Sequence, residues 1–224
     1  MYVPSQFRIA EVAEMLDLMR GNPFAALVSH DAEGIVASHL PTLVQRDGDA
    51  ISIEAHLARG NPHWRRLAAA PEAEVLMIFS GPDAYIRPGW YPSKAEHGKD
   101  VPTWNYAIVH AYGRAEIVDD GAWLLRHVSE LSQQQESPYE MPWKTADAPA
   151  GYIEKMTRGI LGLKVTVTRL EGKAKMGQNR ETRDALGAAA GLEARNEGAD
   201  RAVAAAMRRA HAEQAADGAE GNVR

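Results

Sequence analysis

The stretch FAALVSHDAEGIVASHLPTLVQRDGDAISIE, residues 24–54, decides the predicted fold of this chain of 224 residues. Apolar or β-branched runs cover 24–29, 35–44 and 50–54. The segments between these runs, DAEG and DGD, have the composition of tight turns. We therefore predict an antiparallel meander of three strands.

Short helices and further strands are predicted on both sides of this meander. Apolar positions at helical spacing predict a helix over 9–20, and Asn61 followed by Pro62 predicts the start of a second helix that ends near Pro71. Strands are also predicted at 74–80, 104–118 and 164–170, and helices at 119–135 and 152–160. Closely spaced antiparallel strands with few, short helices indicate a barrel in a mainly β chain with helices (α+β).

An aromatic, proline-rich stretch, SGPDAYIRPGWYPSKAEHGKDVPTWNY, lies between two of these strands at residues 80–106. It contains two of the five tryptophans, three of the seven tyrosines and four of the twelve prolines, so it is unlike an ordinary solvent loop. Proline fixes φ and removes a backbone donor, and a rigid path of this kind can hold flat side chains against a flat partner. The residues alone leave two interpretations open, a lid over the core and a wall of a ligand site.

The composition narrows the classes of function. The formal net charge is −5, and the sequence has neither a helix-turn-helix pattern nor a basic stripe, so direct DNA binding is not favoured. The absence of cysteine excludes disulfides and thiolate metal sites, and the eight histidines form no compact metal-ligand pattern, so we predict no metal. There is no nucleophile-elbow, phosphate-loop or dinucleotide-binding motif, and no catalytic residue is assigned. Without a leader or an apolar span, the chain is expected to be cytoplasmic and not membrane-bound.

A candidate anion site lies in EAHLARGNPHW, residues 54–64, between a strand end and a helix start. Backbone N–H groups at a helix start favour an anion, and Arg59 can clamp a phosphate with two hydrogen bonds. An ordinary capped helix with an exposed arginine explains the same pattern. In the preceding strand, Ser38 and His39 face opposite sides, and Pro41 indicates either an edge strand or a position given to a ligand.

The end of the chain contributes a polar cluster and an alanine-rich segment. KAKMGQNR, residues 173–180, is either a solvated turn or a contact for a phosphate or a polar ring edge. The segment 185–219 predicts one or two peripheral helices that bury little, with residues 216–224 frayed.

Taken in order, several motifs resemble the PaiB family of FMN-binding negative transcriptional regulators. They are MYVPSQF, ASHLP, HLARGNPHW, IFSGPDAYIRPGWYPSK, VPTWNY with His110 after it, and LEGKAKMGQNR, within residues 1–192. The resemblance implies a split β-barrel of antiparallel strands with peripheral helices, similar to pyridoxamine-phosphate oxidase and flavin reductase barrels, and a homodimer with FMN in clefts at the subunit interface. It also implies an FMN-binding domain at 1–170, a segment at 171–192 that completes this domain or the dimer, and a tail at 193–224 outside the resemblance.

The resemblance further implies three groups of cofactor-binding residues. At the phosphate and ribityl side they are Ser38, His39, Arg59 and Asn61, together with His56, which is either a contact or a structural residue. Near the flavin ring they are Trp104, Asn105 and Tyr106. From the partner subunit they are Lys175, Gln178 and Asn179. One departure from the family is Gly177, which stands where a serine is usual and removes one hydroxyl contact.

Three functions stay open at this stage. The first is an FMN-binding regulator, which represses directly or through a small molecule or partner. The second is a flavin-dependent oxidoreductase that acts on a small molecule, with the loop 85–91 shaping the substrate pocket. The third is a haem-binding split barrel with His39, His56 or His110 as the ligand.

Overall fold

The structure is a computed structural model that describes residues 1–220, with side chains described to residue 215. The strands β1 to β8 are Arg8–Ile9, Phe24–Asp31, Gly34–Pro41, Leu43–Asp47, Ala50–Ala58, Glu74–Ile86, Thr103–Val118 and Ile160–Lys175. The helices α1 to α7 are Val12–Gly21, His63–Ala69, Pro92–His97, Gly121–Glu136, Tyr152–Thr157, Thr182–Arg195 and Asp200–Glu220. Single 3₁₀ turns occur at Ser5–Phe7, Pro88–Trp90 and Thr145–Asp147.

The chain forms two compact units. The sheet unit comprises Met15–Phe79 and His110–Leu170. The terminal unit comprises Met1–Glu14, Ser80–Val109 and the chain from Glu171 onward.

The strands of the sheet are hydrogen-bonded in the order β3-β2-β6-β7-β8-β5-β4. The pairs β2–β3, β2–β6, β4–β5 and β5–β8 are antiparallel, with registers such as Ala25↔Leu40 and Ala55↔Leu163. Among the described residues the end strands β3 and β4 are not paired with each other, so the sheet is not closed. Its core comes from alternate strand residues, of which Leu27, Ile53, Leu57, Met77, Phe79, Leu163 and Val165 are almost fully buried.

The predicted three-strand meander is wrong, because the run 35–44 contains two strands. Pro41 cannot donate to a ladder, and the next residue, Thr42, turns away to donate its N–H and its hydroxyl to the carbonyl of Pro23 at 2.9 and 2.8 Å. The result is two hairpins, 24–41 and 43–58, at opposite ends of the strand order. Of the two interpretations of Pro41, an edge strand or a position given to a ligand, the structure supports the first, since β3 lies at one end of the strand order.

The aromatic stretch is more regular than the sequence indicated. Strand β6 continues through Pro82 to Ile86, because its pairing with β2 covers only Leu76–Ile78 and the missing N–H of Pro82 removes no bond of that ladder. A 3₁₀ turn and α3 follow, and β7 begins at Thr103.

The alanine-rich end of the chain packs more closely than predicted. In the terminal unit, α6 and α7 bury a set of small and apolar side chains, namely Ala185, Ala188, Ala189, Leu192, Val203, Ala204 and Met207. The expectation that this segment buries little is therefore wrong, since alanine allows the helix backbones to approach. The final helix reaches Glu220, and the part of the predicted frayed end at 221–224 lies outside the described residues. No helix in residues 1–220 is long and apolar enough to cross a membrane.

Candidate functional site

Arg59 directly follows β5 and is held by two acceptors of the sheet unit. Its Nε donates to the carbonyl of Arg158 at 2.8 Å, and its two terminal nitrogens donate to the carboxylate of Asp119. This hydrogen-bonded pair raises the pKa of Arg59 and lowers the pKa of Asp119. The Arg59 side chain is 40% exposed, and it lines a surface cavity of about 410 Å³ together with Asp119 and Arg158. The group is thus charged, oriented and accessible to an anion.

A chain of hydrogen bonds connects Asn61 with strands β2 and β3. The side-chain oxygen Oδ1 of Asn61 accepts the N–H of His63 at 3.0 Å, and its side-chain amide donates to the Ser38 hydroxyl at 3.0 Å. The N-cap of α2 is Pro62 rather than the predicted Asn61, which acts one residue before it. The Ser38 hydroxyl lies 2.8 Å from His63 Nδ1, and His63 Nε2 lies 2.9 Å from the Ser29 hydroxyl. These bonds fix the segment that carries Arg59.

His63 is a member of this chain that the sequence reasoning missed. The residue is fully buried, and burial, followed by the nearby charge of Arg66, lowers the pKa of its imidazole. A neutral imidazole donates with one nitrogen and accepts with the other, which suits two serine hydroxyls. The sequence feature that could have identified His63 is its position in the motif HLARGNPHW, directly after Asn61 and Pro62.

His39 lies on the other face of β3, as predicted from the alternation of the strand. Ser38 is buried, whereas His39 is exposed and its ring stacks on Phe24 at a centroid distance of 6.1 Å. The two rings offer a flat, accessible surface at the edge of the sheet.

His56 lies in β5 and belongs to a second polar cluster of the sheet unit. Its Nδ1 is 3.1 Å from Nε2 of His127 in α4. His127 is fully buried, stacks on Trp123 with an interplanar angle of 14°, and has its Nδ1 3.8 Å from a carboxylate oxygen of Glu54. Burial is the main cause that lowers the pKa of His127 to about 4, and burial also lowers the pKa of His56. His127 was missed, although its i, i+4 spacing from Trp123 places both on one helix face.

The predicted ring-side residues lie in the terminal unit. The indole of Trp104 is 54% exposed and meets the ring of Tyr85 edge-on at 5.9 Å, whereas Asn105 is buried. Lys175 donates through Nζ to the carbonyl of Trp104 at 2.8 Å and to the hydroxyl of Thr103. Burial, and then the charges of neighbouring cations, lower the pKa of the Lys175 ammonium. This part of the unit combines an exposed flat ring with a positioned cation.

Gln178 and Asn179 differ in how they are held. The Gln178 amide accepts the N–H of Met176 and donates to the carbonyl of Ala174, both at 2.7 Å, so it closes the turn around Gly177, which has a φ of +85°. Asn179 follows as an exposed residue. Gln178 therefore has a local structural role, while Asn179 offers its amide to solvent or a ligand.

Of the eleven predicted site residues, five lie in the sheet unit and six, including Tyr106, in the terminal unit. Within the sheet unit, the structure brings Ser38 and Asn61 into direct contact, whereas Arg59, two residues before Asn61, contacts Asp119 and Arg158. It gives His39 and His56 different partners. Within the terminal unit, Lys175 contacts Trp104.

Comparison with known proteins identifies the family. The family model described as "Putative FMN-binding domain" matches residues 1–169. The protease synthase and sporulation protein PAI 2 of Bacillus subtilis is 31% identical over 184 residues, which are 82% of this chain and 85% of that protein. An uncharacterised protein of Emericella nidulans is 32% identical over 227 residues, with 86% of this chain and 90% of that protein covered.

Solved structures share the fold at low sequence identity. The FAD and heme binding protein of Mycobacterium smegmatis has a TM-score of 0.55 and 17% identity, with 75% of this chain and 73% of that chain covered. A conserved hypothetical protein of Mycobacterium tuberculosis has a TM-score of 0.55 and 15% identity, with 78% and 91% covered. These likenesses confirm the predicted fold class, a split β-barrel of antiparallel strands with peripheral helices.

Proposed function

We propose that this chain, which belongs to the FMN-binding domain family, is a negative transcriptional regulator of the PaiB type. The FMN-binding split barrel is the part that the family match covers, residues 1–169. The observation that carries the regulatory proposal is the similarity to the Bacillus subtilis protein over most of both chains. The name of that protein refers to sporulation, a cellular process rather than a single reaction, and this supports a regulatory role.

Arg59 is proposed as the residue that binds the FMN phosphate. Its guanidinium is already oriented by Asp119 and by the carbonyl of Arg158, at the margin of a cavity large enough to admit a phosphate. A phosphate dianion is a stronger partner for guanidinium than a single carboxylate, so it competes with Asp119 for the same donors. Ser38 and Asn61 support this position through their own hydrogen bond.

The remaining predicted contacts are proposed to serve the flavin ring and the dimer. Trp104 offers an exposed indole as a flat wall, and Asn105 follows it in β7. His39, at the edge strand, offers an exposed ring to the phosphate and ribityl side of the cofactor. In a homodimer, we expect Lys175 and Asn179 to reach the FMN that the partner subunit holds, while Gln178 shapes the turn between them.

Repression is proposed to act through a small molecule or a protein partner. The net charge of −5 does not favour direct contact with DNA. A gel-shift assay is expected to show no tight, sequence-specific and salt-sensitive complex. Such a complex would contradict this part of the proposal.

The regulatory role is tested by transcript profiling in the host organism. Strains that carry no protein, Arg59→Gln or Arg65→Gln are compared with the parent strain. We expect the deletion and Arg59→Gln to raise the same transcripts, and Arg65→Gln, a neighbouring arginine that contacts the ring of Trp64, to behave as the parent. Unchanged transcripts in the deletion strain would contradict a regulatory role.

A flavin-dependent oxidoreductase is the second candidate function. The shared fold with the FAD and heme binding protein supports it, since one fold supports several chemistries and a bound flavin supplies the redox step itself. Haem binding is the further alternative within the same fold. NADH or NADPH that bleaches the bound flavin without oxygen would support the enzyme, and a Soret band on haem titration would support the haem protein.

A further inference from the structure

The polar cluster around His127 consists of three side chains in a row, and their distances and charges determine where the protons between them lie. The imidazole of His127 lies between His56 Nδ1, at 3.1 Å from its Nε2, and a carboxylate oxygen of Glu54, at 3.8 Å from its Nδ1. The Nδ1 atom is buried and has no hydrogen-bond partner among the described residues. The cluster therefore runs from Glu54 through His127 to His56.

The members of this cluster have defined charges at neutral pH. Glu54 is only 9% exposed at its side chain, and one terminal nitrogen of Arg126 donates to both of its carboxylate oxygens, at 3.0 and 3.1 Å. The pKa of His127 is lowered to about 4, by burial first and then by the charges of His56 and Arg126, so its ring is neutral. The pKa of His56 is also lowered by burial. Each neutral ring carries one N–H proton.

Only two proton arrangements satisfy the bond between the two imidazoles. In the first, His127 Nε2–H donates to His56, and the bare Nδ1 of His127 then faces the Glu54 carboxylate, so that two acceptors oppose each other. In the second, His56 Nδ1–H donates to His127, and the Nδ1–H of His127 points toward Glu54. The second arrangement places a proton between each pair of groups and avoids a buried acceptor opposite an anion. It leaves Nε2 of His56 without a proton.

The geometry allows little rotation of the His127 ring. Trp123 stacks on it at a centroid distance of 5.0 Å, and the same indole lies on Gly162 of β8, where a Cβ atom would stand 2.4 Å from the ring. Gly162 is the registered partner of His56 across β5 and β8. The absence of a side chain at residue 162 thus lets Trp123 hold the histidine pair in place.

We propose that His56 binds the flavin by accepting a hydrogen bond at its unprotonated Nε2, and that His127 and Glu54 are positioning residues that fix this state. The ligand group is an N–H or O–H donor of the cofactor, either the ring N–H of the isoalloxazine or a ribityl hydroxyl. His56 is partly exposed, so it is accessible to such a group. This inference rests on the proposed FMN site, and it assigns His56 as a contact rather than as a structural residue.

The proton pattern is tested directly by ¹H–¹⁵N NMR of histidine-labelled full-length protein without flavin. We expect both His56 and His127 to carry their proton on Nδ1. Glu54→Gln is expected to reverse both, because Arg126 retains the amide oxygen and the amide N–H₂ then donates to His127 Nδ1. Glu130→Gln is the matched control, since Glu130 pairs with the same arginine at 2.7 Å. A proton on His56 Nε2 in the wild type would contradict the proposed proton arrangement of Glu54, His127 and His56.

The role of His56 is tested by titration of the same proteins with FMN and with lumiflavin, which lacks the ribityl chain. Glu54→Gln is expected to weaken FMN binding about tenfold. In this variant His56 carries its proton on Nε2, and that N–H group would face the N–H or O–H donor of the flavin instead of accepting from it. Weaker binding of both compounds assigns the ring N–H, and weaker binding of FMN alone assigns a ribityl hydroxyl. His127→Leu, which removes the positioning partner, is expected to give the same direction if Glu54→Gln does not fold.

Two results separate failure of this inference from failure of the proposed function. Reversed tautomers with unchanged FMN affinity would overturn the role of His56 and leave the flavin site intact. A wild-type protein that binds no FMN would overturn the proposed function and the ligand of His56 together. Even then, the histidine tautomers measured without flavin would confirm or contradict the proposed proton arrangement.

Discussion

Gly191 of α6 lies directly against the indole of Trp90, so that a Cβ atom at Gly191 would stand 2.3 Å from Cδ2 of the ring. At Gly187, one helical turn earlier, a Cβ atom would stand 2.5 Å from the carbonyl oxygen of Trp90. The guanidinium groups of Arg195 and Arg87 flank the indole, with centroid distances of 5.2 and 6.0 Å. The two glycines thus create the groove that holds Trp90 on the alanine-rich segment.

This contact predicts that Gly191→Ala destabilises the protein. Alanine favours a helix over glycine by about 1 kcal/mol, but overpacking against the centre of a ring costs roughly 1–3 kcal/mol. We expect a net loss of up to about 2 kcal/mol in the free energy of unfolding, measured by urea denaturation. In a Trp90→Leu background the same substitution is expected to become neutral or stabilising, because the clash is removed.

The control for this cycle is Ala194→Gly, at an exposed position of the same helix. It is expected to cost about 1 kcal/mol in both backgrounds, as helix propensity alone predicts. An equal effect of Gly191→Ala with and without Trp90 would contradict the proposed packing.

Arg59→Gln is predicted to weaken FMN binding selectively. Loss of a charge-assisted bond to phosphate corresponds to roughly a 10- to 100-fold rise in the dissociation constant. Riboflavin, which has no phosphate, is expected to bind equally to the wild type and the variant. Fluorescence titration of both flavins measures the effect, with Arg65→Gln as the matched control. If FMN and riboflavin bind equally more weakly to the variant, Arg59 does not contact the phosphate.

Mixed dimers are predicted to recover FMN sites that each single variant lacks. Arg59→Ala and Lys175→Ala subunits, each expected to bind FMN weakly, are unfolded, mixed in equal amounts and refolded. If one site uses Arg59 of one subunit and Lys175 of its partner, random pairing restores about a quarter of all sites. Mass spectrometry of the dimers and FMN titration measure the recovery. Mixed dimers without recovery would indicate that Lys175 and Arg59 act within one subunit or that Lys175 makes no contact.

Acid is predicted to destabilise the fold through His127. Its pKa is about 4 in the folded chain and about 6.5 when unfolded, so between these values the unfolded chain binds more protons. The free energy of unfolding therefore falls as the pH is lowered from 6.5 to 4, by up to about 3 kcal/mol from this residue. Denaturation of wild type and His127→Gln across this range measures the difference. Identical pH slopes would contradict a neutral, buried His127.

The sequence predicted those parts of the fold that depend on local pattern. Alternation along β7 and the capping pair before α2 were sufficient, because each depends on residues a few positions apart. The meander was wrong because a single residue, Thr42, redirects the chain by bonding to Pro23, and no periodicity records such a bond. Pairing partners of strands depend on contacts that are distant in sequence.

The candidate site shows the same difference between contacts that are local in sequence and contacts that are distant. The segment around Arg59 and Asn61 was predicted because one short motif contains it, and its cap and ordering bonds are local. The partner of Arg59, Asp119, is 60 residues away, and that of His56 is 71 residues away, so neither was accessible from spacing. The sequence did not assign a partner to Trp90, and its contact with two glycines of α6 required the tertiary structure.

The most direct test of the account is the absorption spectrum of the full-length protein after incubation with FMN and removal of free flavin by gel filtration. We predict retained flavin bands near one FMN per chain. We also predict a rise in the free energy of unfolding of about 2.7 kcal/mol when free FMN is a hundred times its dissociation constant. A protein that retains no flavin and gains no thermal stability with FMN would contradict the central claim.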